Sequence, residues 1–107
     1  MNELLRDNEG YLLDPTDWSE DFADAVAMEE GIKLDHHHWL VVRFIRAYFE
    51  DRQSVPETRY ALKYLKEHLG KEYGTRRYLY SLFPYGYGQQ ACKIAGMRKP
   101  LKLMLDI

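Results

Sequence analysis

Residues 83–100 have the sequence Phe-Pro-Tyr-Gly-Tyr-Gly-Gln-Gln-Ala-Cys-Lys-Ile-Ala-Gly-Met-Arg-Lys-Pro. This stretch contains three of the seven glycines, two of the four prolines and the only cysteine, Cys92. Glycine and proline interrupt regular structure, so we expect a loop, a short helix and a second loop. Pro84 ends the helical pattern before it, a helix of about two turns is predicted over 89–95, and Gly96 occupies the position of a C-terminal cap.

Four helical patterns precede this stretch. Each has a start signal, namely Ser19, Asp35, the capping-box-like Ser54-Val55-Pro56-Glu57, and Thr75. The patterns end near Gly31, after residue 49, at Gly70 and at Phe83. The second pattern is the most apolar, and its stripe consists of Trp39, Val42, Ile45 and Phe49. We expect this helix to be central to the core, with Arg43 and Arg46 projecting from its margins.

At the N-terminal end, two short apolar runs within residues 3–13 flank a turn-type cluster at 7–10. This pattern predicts a β-hairpin. The expected fold class is therefore α+β and mostly α, with a small N-terminal hairpin packed on about five helices.

Composition restricts the possible functions. A chain of 107 residues with 46% hydrophobic residues is expected to form a single domain, residues 1–107. The net charge of −2 gives no long-range attraction for nucleic acid. A single cysteine cannot form an internal disulfide, which suits the cytoplasm. We see no signal peptide or membrane span, and we expect no cofactor and no membrane partner.

The C-terminal third resembles the DsrC/TusE family, which comprises the gamma-subunit-like proteins of dissimilatory sulfite reductase and the sulfur-relay proteins of transfer-RNA thiolation. The resemblance rests on Arg77-Tyr-Leu-Tyr80, Leu82-Phe-Pro84, Gly86, Gln90-Ala-Cys-Lys-Ile-Ala-Gly96 and Lys99-Pro100. It extends through Gly10-Tyr-Leu12, Trp18, Glu30-Gly-Ile32 and His38-Trp39, with Val41-Val-Arg-Phe-Ile-Arg46, and so covers nearly the whole chain. The resemblance implies a small, mostly helical fold and a flexible C-terminal arm, about residues 97–107, that carries sulfur on cysteine and docks into a partner.

This chain departs from the family pattern at one essential point. Members keep a cysteine one residue from the C-terminus, and the DsrC branch has a second cysteine in the place of Cys92. The two cysteines of the DsrC branch are eleven residues apart. In this chain the residue eleven positions after Cys92 is Leu103, and no cysteine lies near the end. Tyr87 and Arg98 also stand where the family usually has proline.

Cys92 is the candidate reactive residue. Thiolate is the reactive form of cysteine, and Lys93, Arg98 and Lys99 are near enough in sequence to favour it. The alternative is a buried, inert side chain, which is common for an unpaired cysteine. The resemblance supports reactivity through the DsrC branch, whereas the TusE branch does without this cysteine.

Two further clusters have structural alternatives. Consecutive histidines at 36–38 point about 100° apart on a helix, so we expect a polar helix start rather than a metal site, and no metal.

A basic face for an acidic partner or for weak DNA binding could form in the C-terminal half, where basic residues are interleaved with tyrosines. The basic residues are Arg76, Arg77, Lys93, Arg98, Lys99 and Lys102. The alternative is an ordinary solvated surface, which near-neutral charge favours. The resemblance favours partner docking, for which the candidate residues are Arg77, Tyr80, Lys93, Arg98 and Lys99.

Two functions remain open. The first is a sulfur-relay protein that passes persulfide sulfur to a partner in sulfur metabolism or transfer-RNA thiolation, with Cys92 accepting the sulfur. It would be a sulfur carrier or sulfurtransferase component and not a stand-alone enzyme. Its partners would be sulfur-transfer proteins or a complex like dissimilatory sulfite reductase. The second is a regulatory or binding paralogue, acting on protein or DNA, that has lost the relay cysteine.

Overall fold

A computed structural model describes residues 5–99 of the chain. This part contains four α-helices: α1 (Glu20–Glu29), α2 (His36–Arg52), α3 (Thr58–Leu69) and α4 (Arg76–Leu82). Single-turn 3-10 helices precede α1 and α4, at Pro15–Asp17 and Lys71–Tyr73. A π-helix, Tyr87–Ala91, continues directly into a three-residue α-helical turn, Cys92–Ile94.

Three of the helix starts confirm the sequence prediction. Ser19 Oγ accepts a hydrogen bond from the N–H of Phe22 at the start of α1. The carboxylate of Asp35 caps α2, and the hydroxyl of Thr75 caps α4. Each of these side chains satisfies a backbone donor that has no partner within its helix.

The predicted capping box at residues 54–57 is wrong. Helix α3 begins at Thr58, and its N-cap residue, Glu57, makes no side-chain capping hydrogen bond. The carboxylate of Glu57 is instead 3.1 Å from Nη2 of Arg59. The long glutamate side chain therefore serves an ion pair in place of the cap.

The predicted N-terminal hairpin is also wrong, and with it the α+β class. The described part of the chain contains no strand, and the pairing in this region is one isolated antiparallel bridge between Arg6 and Leu12. The carboxylate of Asp7 accepts two backbone N–H groups within the turn. The chain then enters a 3-10 helix at Pro15, so the turn forms but the strands do not extend.

The prediction of about five α-helices fails at its last member. Residues 89–95 do not form a separate α-helix, because the backbone has already begun a π-helix at Tyr87. Five side chains of residues 87–94 face the interior, which is more than one stripe of a regular amphipathic helix provides. They are Tyr87, Gln90, Ala91, Cys92 and Ile94. Gly96, with φ +78°, ends the helical turn as predicted.

The C-terminal segment, which we define as residues 83–97, completes the core. Helices α1 and α2 both contact its turn at Cys92–Ile94. Helix α2 buries Val42 and Ile45 of its predicted apolar stripe and Val41 beside them, whereas Trp39 and Phe49 of the stripe are half-buried. The largest fully buried side chains include Leu12, Ile45, Leu65, Leu79, Phe83, Ile94 and Met97.

Two expectations concern the ends of the chain or the membrane. The predicted arm, about residues 97–107, lies outside the described residues except for Met97, which is buried, and Arg98 and Lys99, which are exposed. Among the helices of residues 5–99, none combines the length and the apolar character that crossing a bilayer requires.

Candidate functional site

Cys92 lies where the π-helix passes into the α-helical turn, and its side chain has no exposed surface. Its carbonyl oxygen accepts a hydrogen bond from the N–H of Met97 at 3.0 Å, so residues 92–97 form one closed turn. Two tyrosines are close to the thiol. The Tyr87 hydroxyl is its hydrogen-bonding neighbour, and Tyr11 is near enough for a thiolate to raise the phenol pKa.

The electrostatics of this pocket favour the protonated thiol. Burial raises the pKa of Cys92 well above its usual value, because a thiolate would lose its hydration. A hydrogen bond from the Tyr87 hydroxyl would offset part of that, but its proton is already donated to the Pro56 carbonyl oxygen at 2.9 Å. Burial and the nearby Cys92 also raise the pKa of Tyr11 to about 12. In this conformation the Cys92 thiol is therefore protonated and shielded from solvent.

Two side chains from distant parts of the sequence fix the end of the segment. Nε1 of Trp18 donates to the carbonyl oxygen of Ile94 at 2.8 Å. Nη1 of Arg46 donates to the carbonyl oxygens of Pro15 at 3.0 Å and Ala95 at 3.2 Å. We call Trp18 and Arg46 the anchor residues, because they bind the carbonyls of Ile94 and Ala95 at the end of the helical turn, where the turn itself no longer supplies donors.

The opposite side of the segment is fixed by Glu30. Its carboxylate accepts from Nε2 of Gln90 at 3.2 Å and pairs with Nζ of Lys93 at 3.0 Å. Both members of the ion pair are mostly buried, with side-chain exposures of 13% for Lys93 and 20% for Glu30. Tyr11 adds a hydrogen bond to the carbonyl oxygen of Gly88. The segment is thus held by side chains from the N-terminal turn, from both sides of α1 in sequence and from α2.

The predicted docking residues do not form a single cluster. Arg77 and Tyr80 are exposed on α4, where Tyr80 lies 3.8 Å from the position of a Cβ on Gly86. Lys93 is committed to Glu30, and Lys99 is ion-paired with Glu9 at the N-terminal turn. Arg98 is exposed at the end of the described chain.

The histidines form a helix start, as expected. His38 is buried, and its ring contacts the Asp35 carboxylate through Nδ1 and the Leu82 carbonyl oxygen through Nε2, both at 2.9 Å. His37 is hydrogen-bonded to the hydroxyl of Tyr78. Within residues 5–99, His, Cys, Asp and Glu side chains do not gather in groups of three or more suited to a metal ion.

Sequence reasoning missed the role of Arg46, which was expected at the solvent-exposed margin of α2. Its side chain is only 13% exposed, whereas that of Arg43 is 59% exposed. The guanidinium lies 4.8 Å from the centre of the Trp18 ring, and burial lowers its pKa. The available signal was an arginine within the most apolar helix pattern, but its partners are carbonyl groups that no sequence pattern marks.

The fold and the site together define a small helical protein whose only cysteine lies in a C-terminal segment held closed by distant side chains. Family comparison agrees with this description: residues 1–104 match the model of the family described as "DsrC like protein". The chain belongs to this family.

Individual relatives and solved structures support the same family assignment. The chain is 47% identical over 100 residues to the sulfurtransferase TusE of Salmonella typhimurium, which covers 94% of this chain and 92% of that protein. Its fold is similar to the solution structure of Allochromatium vinosum DsrC, with a TM-score of 0.83, 42% identity and coverage of 94% and 89%. The oxidized gamma-subunit of the dissimilatory sulfite reductase (DsrC) from Archaeoglobus fulgidus gives a TM-score of 0.85, with 34% identity and coverage of 92% and 90%.

These findings confirm the predicted family and, with it, the broad function: the chain is a DsrC/TusE-like sulfur-relay protein. Neither the comparisons nor the contacts within residues 5–99 favour the alternative of a regulatory or DNA-binding paralogue. The role of Cys92 and the docking residues stay predictions.

Proposed function

We propose that this chain accepts persulfide sulfur on Cys92 and passes it to a partner, after the C-terminal segment has opened. The observation that carries the proposal is that Cys92, the only thiol in the chain, stands at the position where the resemblance places the second cysteine of the DsrC branch. Relatives named as sulfurtransferases support the chemistry.

The transfer step is a thiol–persulfide exchange. The Cys92 thiolate attacks the outer sulfur of a donor cysteine persulfide, and the new S–S bond forms as the donor S–S bond breaks. The donor cysteine leaves as a thiolate, and Cys92 carries the persulfide. The Cys92 proton passes to solvent in the open state, where the thiol recovers a pKa nearer to that of a free cysteine. No net oxidation or reduction occurs, so the step needs no cofactor.

Intact-mass spectrometry tests this step. The protein is incubated with a persulfide donor protein, with and without reductant. We expect a reductant-sensitive gain of one sulfur atom. The matched control is Cys92→Ser, which should gain none.

Two results would contradict the role of Cys92. One is sulfur gain by Cys92→Ser. The other is no gain by the wild-type protein, although iodoacetamide labels Cys92 under the same conditions.

For the partner, we propose a sulfur-transfer protein or a complex like dissimilatory sulfite reductase. This proposal follows the names of the relatives, which are sulfurtransferase TusE and dissimilatory sulfite reductase I. The proposed docking face is formed by Arg77 and Tyr80, which are exposed on α4. Arg98 and Lys99, exposed at the end of the described chain, are further proposed contacts, and Lys93 would become one only on leaving Glu30. Tyr80 is half-exposed and Arg77 lies one turn before it, so both side chains can reach a partner. Exposed tyrosine and arginine side chains are common among residues that dominate binding.

A pair of double variants tests this face by isothermal titration calorimetry with the persulfide donor protein. Arg77→Ala with Tyr80→Ala should weaken binding at least about tenfold. Arg59→Ala with Tyr60→Ala, an exposed pair on α3, is the matched control and should change the dissociation constant less than about threefold. Equal effects of the two double variants would contradict the proposed face.

We also propose a cytoplasmic location. The single cysteine is unpaired, and thiol and persulfide chemistry require that it stays so. A reducing compartment provides that condition.

A further inference from the structure

The last carbonyl groups of the C-terminal segment are bound from a distance. The donors to Ile94 and Ala95 are Trp18 and Arg46, which lie 76 and 49 residues away in sequence. Helix ends usually satisfy such carbonyls with their own chain or with water. Here the position of the segment depends on two side chains that belong to other elements.

Arg46 contacts several groups at this point besides the carboxylate with which it pairs. Its guanidinium joins Pro15, Ala95 and the Trp18 ring, and Nη2 lies 3.4 Å from the carboxylate of Glu50. Its Nε is buried without a hydrogen-bond partner among residues 5–99. A buried donor without a partner is costly, so the hydrogen bonds made by the other nitrogens of the guanidinium must offset that cost to keep Arg46 in this position.

Trp18 fixes the same turn sterically. A Cβ added to Gly96 would lie 2.4 Å from Cδ1 of Trp18, so the indole packs directly against the backbone of the turn. The turn at Gly96 is closed on Cys92 through the Met97 N–H. Displacement of residues 94–96 therefore also displaces the backbone of Cys92.

We propose that Arg46 and Trp18 are positioning residues that keep Cys92 covered, and that their release is the opening step that exposes the thiol. This inference rests on the proposed function of Cys92 for its biological meaning. Its test uses a small electrophile and no sulfur donor, so the two proposals can fail separately.

The experiment measures the rate at which iodoacetamide alkylates Cys92 in the folded protein. Arg46→Met keeps much of the side-chain volume but removes the donors. We expect it to raise the alkylation rate about ten- to a hundredfold, the factor for losing hydrogen bonds from a charged donor. Trp18→Phe keeps a ring against Gly96 but loses the N–H, and should raise the rate about fivefold. Arg46→Lys should restore part of the protection, because it retains a cationic donor.

Arg43→Met is the matched control. Arg43 also lies on α2, stacks on a tryptophan ring (5.1 Å from the centre of Trp39) and pairs with a glutamate (2.9 Å from Glu20), but it does not bind the segment. Its loss should change the alkylation rate less than about threefold.

The dependence of the rate on urea separates local opening from global unfolding. A local opening exposes little surface, so the logarithm of the rate should be nearly independent of low urea concentrations in the wild type and in Arg46→Met. A steep dependence equal to that of global unfolding would overturn the proposal, because Cys92 would then be exposed only when the whole chain unfolds. Equal acceleration in Arg46→Met and Arg43→Met would also overturn it. If the Arg46 variant labels faster and still accepts no sulfur, the positioning role stands and the proposed function of Cys92 falls.

Discussion

The α2–α3 pair and the C-terminal segment solve the same problem of backbone hydrogen bonding in different ways. Helices α2 and α3 are regular, with 17 and 12 residues, and satisfy their backbone groups largely within themselves. The C-terminal segment contains a π-helix and a three-residue turn, and it depends on hydrogen bonds from Tyr11, Trp18 and Arg46. The regular pair therefore tolerates local changes, whereas the segment should respond to changes made far away in sequence. The candidate thiol lies in the segment, whose position depends on those hydrogen bonds from distant side chains.

The largest effect on stability should come from Gly96→Ala, which disrupts the contact between the segment and Trp18. The new Cβ would lie 2.4 Å from the indole, and the backbone has φ +78°. We expect the free energy of unfolding to fall by about 3 kcal/mol, from steric overlap and left-handed backbone strain together. Urea denaturation followed by circular dichroism measures this.

Gly31→Ala is the matched control for Gly96→Ala. Its φ is +72°, yet an added Cβ would meet no described atom within 4 Å. Only left-handed backbone strain remains, so we expect the free energy of unfolding to fall by about 1 kcal/mol. If the two variants were equally destabilised, the contact with Trp18 would not hold the segment.

The second effect is a loss of stability at alkaline pH that the segment causes. Burial raises the pKa of Cys92 in the folded state, so its contribution to stability is full below about pH 9 and is lost as the pH rises beyond that. Tyr11 acts in the same direction between about pH 10 and 12, since its pKa is raised to about 12. The free energy of unfolding should fall by up to about 1.4 kcal/mol per pH unit for each group.

Cys92→Ala separates the two contributions. The slope of stability against pH should be shallower in this variant between pH 9 and 10, and similar to the wild type below pH 8. Denaturant titrations at a series of pH values provide the slopes. An unchanged slope above pH 9 would mean that the thiol is not buried in solution.

A moderate effect is expected in the regular part from Asp35→Ala. The carboxylate caps α2 and contacts the ring of His38, whose other nitrogen contacts the Leu82 carbonyl oxygen. We expect a loss of about 1 kcal/mol, the usual value for an N-cap. The alkylation rate of Cys92 should stay nearly unchanged here, unlike in the anchor variants, because a loss of global stability does not favour the local opening of the segment. A selective increase in that rate would remove the distinction between the two regions.

The smallest effect is a gain from Glu57→Ser. Helix α3 has no side-chain cap, and serine at the N-cap position would supply one. We expect stability to rise by about 0.5 kcal/mol, with the loss of the exposed ion pair to Arg59 offsetting little of it. Thermal denaturation of the variant beside the wild type tests this, and a lower melting temperature would show that the ion pair matters more than the missing cap.

Much of the regular part can be predicted from sequence. Asp35 and Thr75 cap the helices that they were expected to cap, α1 begins beside Ser19 as expected, and the apolar stripe of α2 forms part of the core. These features depend on residues within one or two helical turns, so local patterns suffice to find them. The hairpin was overpredicted, because the hydrogen bonds of Asp7 and the turn into Pro15 limit the pairing to one bridge.

Tertiary structure alone decided the state of the candidate site. The sequence determined that there is one thiol, that glycine and proline surround it, and that the chain resembles a sulfur-relay family. It did not determine that Cys92 is buried, or that Arg46 points inward to carbonyls of the segment while Arg43, three residues earlier on α2, stays exposed. The physical reason is that a hydrogen bond between a side chain and a distant carbonyl leaves no periodic mark in the sequence, since every residue carries the same carbonyl group.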